Sequence, residues 1–423
     1  MTGGGFIFGG GSWYGPEFLL AEPIILVTIN YRMGPFGFLT LGTDDAPGNV
    51  GLLDQRAALT WVQDNIGQFG GDPGVVTMAG ESAGSFSATY HMLSPGSSGL
   101  YHRVLGQSGV GGLAPGYHHW QPDQATRLAN ELALLLGCFQ LITSNRLECL
   151  RETSAVALSL VEFENGVVSQ PVDDASYASQ PFFPVPVEEA WKTGQFNTEV
   201  EVLLGANREE GLLITQAFYL DPAILVALVN KGWDTWGPLG VLMKHYIETT
   251  PADSALAHEI LETYTGTTAD LVTMEHVTNM TDMFTDTHFM YGIHRFLGYH
   301  LQHSSSPLFT YVNPHVNTHG QGSWTGVTLP GSSHAAELFL EFSPFLGRNT
   351  TLNAEDAQVS LLLTRLWANF VRFGDPSPAG EGVAWGRVEE NAGPFFRLGL
   401  EPRMEERGPD YQRRMGWWQE WIN

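Results

Sequence analysis

Residues 75–84 read Val-Val-Thr-Met-Ala-Gly-Glu-Ser-Ala-Gly and run on into Ser-Phe-Ser-Ala-Thr-Tyr-His-Met-Leu at 85–93. Val75 to Ala79 is a short β-branched run between two glycines, the pattern of a buried strand, and Ser85 to Leu93 reads as helix. Between them Gly80-Glu81-Ser82-Ala83-Gly84 fits G-x-S-x-G at a strand-to-helix turn. A serine on so sharp a turn is strained, with its hydroxyl lifted clear, and the flanking glycines remove side chains that would strike adjacent backbone. The helix behind it aims free N–H groups at any negative charge that develops there. Ser82 is therefore the candidate nucleophile, weighed against a plain surface turn. The competing Gln107-Ser108-Gly109 lacks the second glycine spacing.

Working outward, Ile24 to Ile29, preceded by Pro23, reads as another buried strand. Leu53 to Ile66 places Leu53, Ala57, Leu59, Trp61, Val62 and Ile66 at a helical period. Strand, helix, strand implies parallel pairing. Arg103 to Leu105, Val200 to Leu204 and Leu308 to Val312 are further strand candidates, separated by helical stretches at Gln124 to Leu136 and Met283 to Gln302. The expected fold class is α/β, a doubly wound, mostly parallel sheet flanked by helices. No repeat or long linker divides the chain, so residues 1–423 are expected to form a single domain, with Pro222 to Ala269 as a helical insertion.

The composition, 43% hydrophobic with 49 Gly and 24 Pro in 423 residues, supplies a large core and many turns and excludes a disordered or coiled-coil chain. With 45 acidic and 20 basic residues the net charge is −25, which repels phosphate backbones and anionic membranes, so nucleic acid is excluded as a partner. Apolar runs such as Ala223 to Val229 fall far below the ~18 residues of a membrane span, and no transmembrane segment is expected. Cys138 and Cys149 are too few for a disulfide scaffold or a four-ligand zinc site, but enough to close one short loop. Asn279-Met280-Thr281 and Asn349-Thr350-Thr351 are glycosylation sequons, compatible with secretion. His315 and His319 stand four apart, but Pro314 and Gly320 oppose the helix that would align them, and His118-His119 reads as an exposed loop pair. No metal and no cofactor are expected.

A serine that transfers acyl groups also needs donors for an oxyanion. Gly3-Gly4-Gly5 offers a side-chain-free loop whose N–H groups can approach a substrate oxygen, and Ala83 N–H adds another. The Lys-Ser/Thr pair that would make this a phosphate loop is absent.

On these stretches the chain resembles the type-B carboxylesterase and cholinesterase family of α/β hydrolases over essentially its whole length. The matching segments are Gly3 to Phe6, Asn30 to Gly34, Gly48 to Gln55, Phe69 to Pro73 and Gly80 to Gly84. Gly205-Ala-Asn-Arg-Glu-Glu-Gly211, Gly331-Ser-Ser-His-Ala-Ala-Glu-Leu338, Leu366 to Phe370 and Gly374 to Pro376 also match. The resemblance implies hydrolysis of small carboxylic esters by a Ser82, Glu210, His334 triad through an acyl-serine, with Gly4, Gly5 and Ala83 as the oxyanion hole. Glu210 rather than Glu209 is chosen because the family's acid directly precedes the glycine. It further implies that Ser108 hydrogen-bonds the acid, that Glu81 stands beside the nucleophile, and that Cys138 and Cys149 form a short disulfide loop. Closing that loop is worth about 3 kcal/mol and favours an oxidising compartment.

The chain departs from that family at its start. Thr2 stands where His or Tyr usually precedes the glycines, and no signal peptide precedes them. In this family the strand feeding the oxyanion loop lies inside the sheet, beside the strand leading to the nucleophile. The expectation is therefore an N-terminally incomplete domain lacking the family's N-terminal strands, from a parent that is secreted or extracellular. Gly116, in Ala114 to Tyr117, and Ala79 replace large aromatics of the cholinesterases, which implies a roomier acyl site. A general carboxylesterase, the juvenile hormone esterase-like branch included, is implied over a cholinesterase. The alternatives are a non-catalytic adhesion or scaffold member of the same fold, or an inactive truncated form.

Overall fold

The computed structural model describes residues 1–116, 119–165, 170–243, 249–320, 328–380 and 382–422. Its centre is a six-stranded sheet: β1 (Thr77–Glu81), β2 (Arg103–Gln107), β3 (Glu201–Asn207), β4 (Leu308–Asn313), β5 (Phe395–Arg397) and β6 (Arg403–Glu405). Spatial order follows chain order; β1 to β5 pair in parallel and β6 is antiparallel.

Side chains alternate between the two faces, and both faces are covered. Val104, Val202, Leu204 and Val312 point to a cluster containing Phe86, Tyr90, Trp191 and Phe296. Leu105, Leu203, Phe309 and Tyr311 point to the opposite cluster, with Leu363, Leu366 and Phe370. Strands buried on both faces read as near-continuous apolar runs, which is why these segments were recognisable. The expected helices lie at Val50–Asn65 (α1) and Pro122–Leu135 (α3), and the helix after the elbow at Ala83–Met92 (α2). The stretch expected as one helix from Met283 to Gln302 is three pieces: Val277–Thr285 (α4), a π-helical turn Asp286–Met290, and Tyr291–His303 (α5). The insertion also folds as helices, and Trp233, Ile260 and Leu261 bury with Met280, Phe284 and Trp418 in a separate cluster. Among the described residues no single helix is long and apolar enough to cross a membrane.

One expectation fails. Ile24 to Ile29 is not a strand, and among the described residues the peptide groups of Ile25 to Ile29 make no backbone hydrogen bond. Ile25 is 45% and Val27 39% exposed, so the run is not buried either. The physical reason is a cavity of about 600 Å³ between this run and β1, lined by Ile25, Val27, Leu59, Val62, Val75 and Met78. A β-branched run becomes a strand only where a ladder partner satisfies its peptide groups. On the cavity side, β1 meets the amino group of Met1, which donates to Ala79 O at 2.5 Å.

Candidate active site

Ser82 caps α2 at φ 55°, ψ −124°, a conformation strained for a residue with a Cβ. Its N–H donates to Gln107 O at 2.8 Å and its carbonyl accepts from Phe86 N at 2.9 Å, so β2 and the first turn of α2 hold the corner from both sides. The two glycines are sterically required. A Cβ at Gly80 would lie 2.3 Å from the Gly84 carbonyl carbon, and one at Gly84 would lie 2.2 Å from Met1 O.

The glycine loop abuts this corner, since a Cβ at Gly3 would lie 3.3 Å from that of Ser82. Gly4 has φ 101° and Gly5 φ 61°, and a Cβ on Gly4 would sit 2.0 Å from Phe8 O. The N–H groups of Gly4, Gly5 and Ala83 have no backbone acceptor among the described residues. Gly3 N–H instead donates to the Tyr14 hydroxyl at 3.3 Å, a contact the sequence did not announce.

Glu210 is completely buried, and each carboxylate oxygen has a defined partner. Oε1 accepts from Ser108 Oγ at 2.5 Å and from Asn207 N–H at 2.7 Å. Oε2 lies 2.6 Å from His334 Nδ1. Residues 108, 210 and 334 are thus brought together as expected. The other imidazole edge is not placed as expected. Nε2 approaches Glu81 Oε1 at 3.1 Å, and no hydrogen bond joins it to Ser82 Oγ among the described residues. Glu81 is buried beside the ring, and in its ionised form it draws an imidazolium toward it.

The electrostatics arise from three carboxylates, Glu81, Glu210 and Glu337, buried around one imidazole, with Glu341 buried behind Glu337. Burial pulls the His334 value down, but Glu81 and Glu210 outweigh it and raise it to about 9. Burial, with Glu337 and Glu210 adding, pushes Glu81 up to about 8, against the opposing pull of His334. Burial and Glu210 raise Glu337 to about 7, and burial also raises Glu341. Gln107 and Asn207 donate into this cluster, Gln107 to both Glu337 and Glu341 and Asn207 to Glu337.

Two further residues escaped sequence reasoning. Phe289 stacks on the His334 ring, centroids 4.7 Å apart and planes at 25°. Asn207 lies within the acid segment itself, three positions before Glu210, and that proximity was a usable signal. The roomier acyl site does not materialise at Gly116, because a Cβ there would lie 2.9 Å from the His288 ring, which fills the space. Ala79 lies on the cavity wall instead. Tyr117 and His118 lie outside the described residues; His119, expected to be exposed, is buried against Asp173 at 2.8 Å. His315 pairs with Asp356 at 2.8 Å and His319 bonds Thr351 O at 2.7 Å.

Cys138 and Cys149 form the expected disulfide, with Cα atoms 5.7 Å apart. Asn349 is exposed in a loop, whereas Asn279 lies within α4 with its amide bonded to Tyr264 O at 2.8 Å.

The Carboxylesterase family model matches residues 1–415. Carboxylesterase 1D of Rattus norvegicus is 30% identical over 450 residues, covering 99% of this chain and 72% of the relative. An acylcarnitine hydrolase of Mus musculus is 30% identical, covering 95% of this chain and 68% of its own. An acetylcholinesterase of Danio rerio is 29% identical, covering 96% and 69%. A match of that extent, on a mostly parallel sheet with helices on both faces, establishes that the chain belongs to the Carboxylesterase family of α/β hydrolases.

Proposed function

We propose that the chain hydrolyses small carboxylic esters through a covalent acyl-Ser82 intermediate. Ser82 Oγ attacks the ester carbonyl carbon while His334 Nε2 takes the hydroxyl proton. The bond to the leaving alcohol then breaks as the imidazolium returns that proton to it. Water, deprotonated by the same imidazole, attacks the acyl carbon and releases the acid and Ser82. Glu210 fixes the tautomer and balances the cation, and the N–H groups of Gly4, Gly5 and Ala83 receive the oxyanion. No cofactor enters this chemistry.

The observation that carries this reading is the Glu210 clamp. Ser108 and Asn207 hold one oxygen, and the other holds Nδ1 of a histidine whose far edge faces the Glu81-Ser82 corner. Attack requires that edge to move from Glu81 to Ser82, adjacent residues on one turn. The test is turnover of p-nitrophenyl esters: Ser82→Ala, folded as well as wild type, should lose at least about 10³-fold in kcat, and retention of wild-type activity overturns the assignment.

A second reading, an inactive or binding-only form, is favoured by that same contact of Nε2 with Glu81. A fluorophosphonate probe separates them, labelling Ser82 under the catalytic reading and leaving the chain unlabelled under the other. Residues 1–423 are proposed as one domain that is incomplete at its N-terminal edge. Support comes from the unpaired peptide groups of residues 25–29 across the cavity from β1, and from Met1 to Gly3 running alongside Ala79 to Ser82. Secretion and a glycan on exposed Asn349 accord with the disulfide.

A further inference from the structure

The geometry points to Phe289 as a positioning residue for His334, set against the imidazole by the π-helical turn Asp286–Met290. The inference rests on the proposed role of His334 and concerns what fixes and charges its ring. Glu210 holds His334 at Nδ1 and Glu81 lies against Nε2, contacts at the two ring edges that leave the ring free to tilt about the line joining them. Phe289, 1% exposed, lies flat on the imidazole face at 4.7 Å and 25°, which removes that freedom.

The turn that carries Phe289 is anchored on several sides. Thr285 Oγ1 accepts from Gly211 N–H, the residue after Glu210, at 2.9 Å. Thr287 O accepts from Gly116 N–H at 2.9 Å, and Thr287 Oγ1 donates to Val241 O at 2.9 Å. Asp286 is held by Arg414 Nε at 2.7 Å and the Tyr264 hydroxyl at 2.6 Å. A π turn inserts one extra residue into the helix, rotating the downstream turns by about 100° relative to the upstream ones. Met283, Phe284 and Tyr291 pack into the helical cluster, whereas Phe289 and Ile293 pack into the core beside the sheet, so the segment bridges the two. The end of α4 and the turn that follows it therefore touch the flank of the acid and the face of the base.

An aromatic face against an imidazole also favours the charged ring that forms when Ser82 gives up its proton. The other groups facing the ring are the carboxylates of Glu81, Glu210 and Glu337. Phe289 is the apolar wall among them.

The experiment compares wild type with Phe289→Leu, Phe289→Met and Phe289→Tyr, measuring kcat and KM for a p-nitrophenyl ester and the imidazole titration of His334 by NMR, assigned with His334→Gln. Phe289→Leu and Phe289→Met should lower kcat about tenfold with KM within about twofold, and lower the His334 titration midpoint by about half a pH unit or more. Phe289→Tyr, which keeps the ring, should restore both. Met fills the volume without a ring, so agreement between Leu and Met separates stacking from cavity formation. An unchanged His334 midpoint in folded Leu and Met variants overturns the inference, whether or not the chain turns over esters. Loss of Ser82 labelling with the midpoint shift intact would overturn the catalytic reading alone.

Discussion

Glu81 and His334 set the pH behaviour of the site between them. With the His334 value raised to about 9, the imidazole is protonated at neutral pH in this arrangement and cannot accept the Ser82 proton. Ester turnover should therefore climb as pH rises from 7 through about 9. Glu81→Gln removes the largest single charge influence on the imidazole and should move the acidic limb of the kcat/KM profile down by about one pH unit or more. A limb that stays in place would show that Glu81 does not control the base. The linkage runs the same way: the folded chain holds a proton that the unfolded chain releases, so this stabilisation is full below 6.5 and is lost as pH rises through about 9. Ser82, Glu210, Ser108 and His334 were legible because each sits in a recognisable segment. The grip of Glu81 on Nε2 and the stack of Phe289 were not, since both arise where separate elements converge and no local pattern marks them.

The elbow is only as sound as its glycines. Gly80→Ala places a methyl group 2.3 Å from the Gly84 backbone, where neither β1 nor α2 can yield cheaply. The expected cost is about 1–3 kcal/mol, read as a lower thermal unfolding midpoint, with ester turnover falling as the corner is displaced. An unchanged midpoint would mean that the turn is looser than described. Strands β1 to β4 were readable from short apolar runs because each has a partner in the sheet. Ile24 to Ile29 has the same composition without a partner, and the composition alone misled. The break in the long helix was invisible for another reason: Asp286–Met290 contains neither Gly nor Pro, so tertiary contacts rather than local preference impose the π turn.

The open flank of β1 governs the behaviour of the molecule in solution. Among the described residues, the unpaired peptide groups of Ile25 to Ile29, beside the exposed Ile25 and Val27 side chains, form a sticky edge, and such edges recruit other chains. A net charge of −25 opposes that contact, so association should increase with protein concentration and with salt, which screens the repulsion. Light scattering should show Val27→Lys reducing it; equal behaviour of the two proteins in high salt would rule the edge out. The sheet class and the covering of both its faces were legible in advance, while the cavity beside β1 emerges only in three dimensions, where distant segments fail to meet. Finally, strands adjacent in space are also consecutive along the polypeptide, so during synthesis each can settle on its predecessor as it emerges. The imidazole arrives with residue 334, long after Ser82. On the proposed mechanism, the nascent chain throughout most of translation thus carries a hydroxyl with no base to arm it, and reactivity is withheld until the scaffold around it is nearly built.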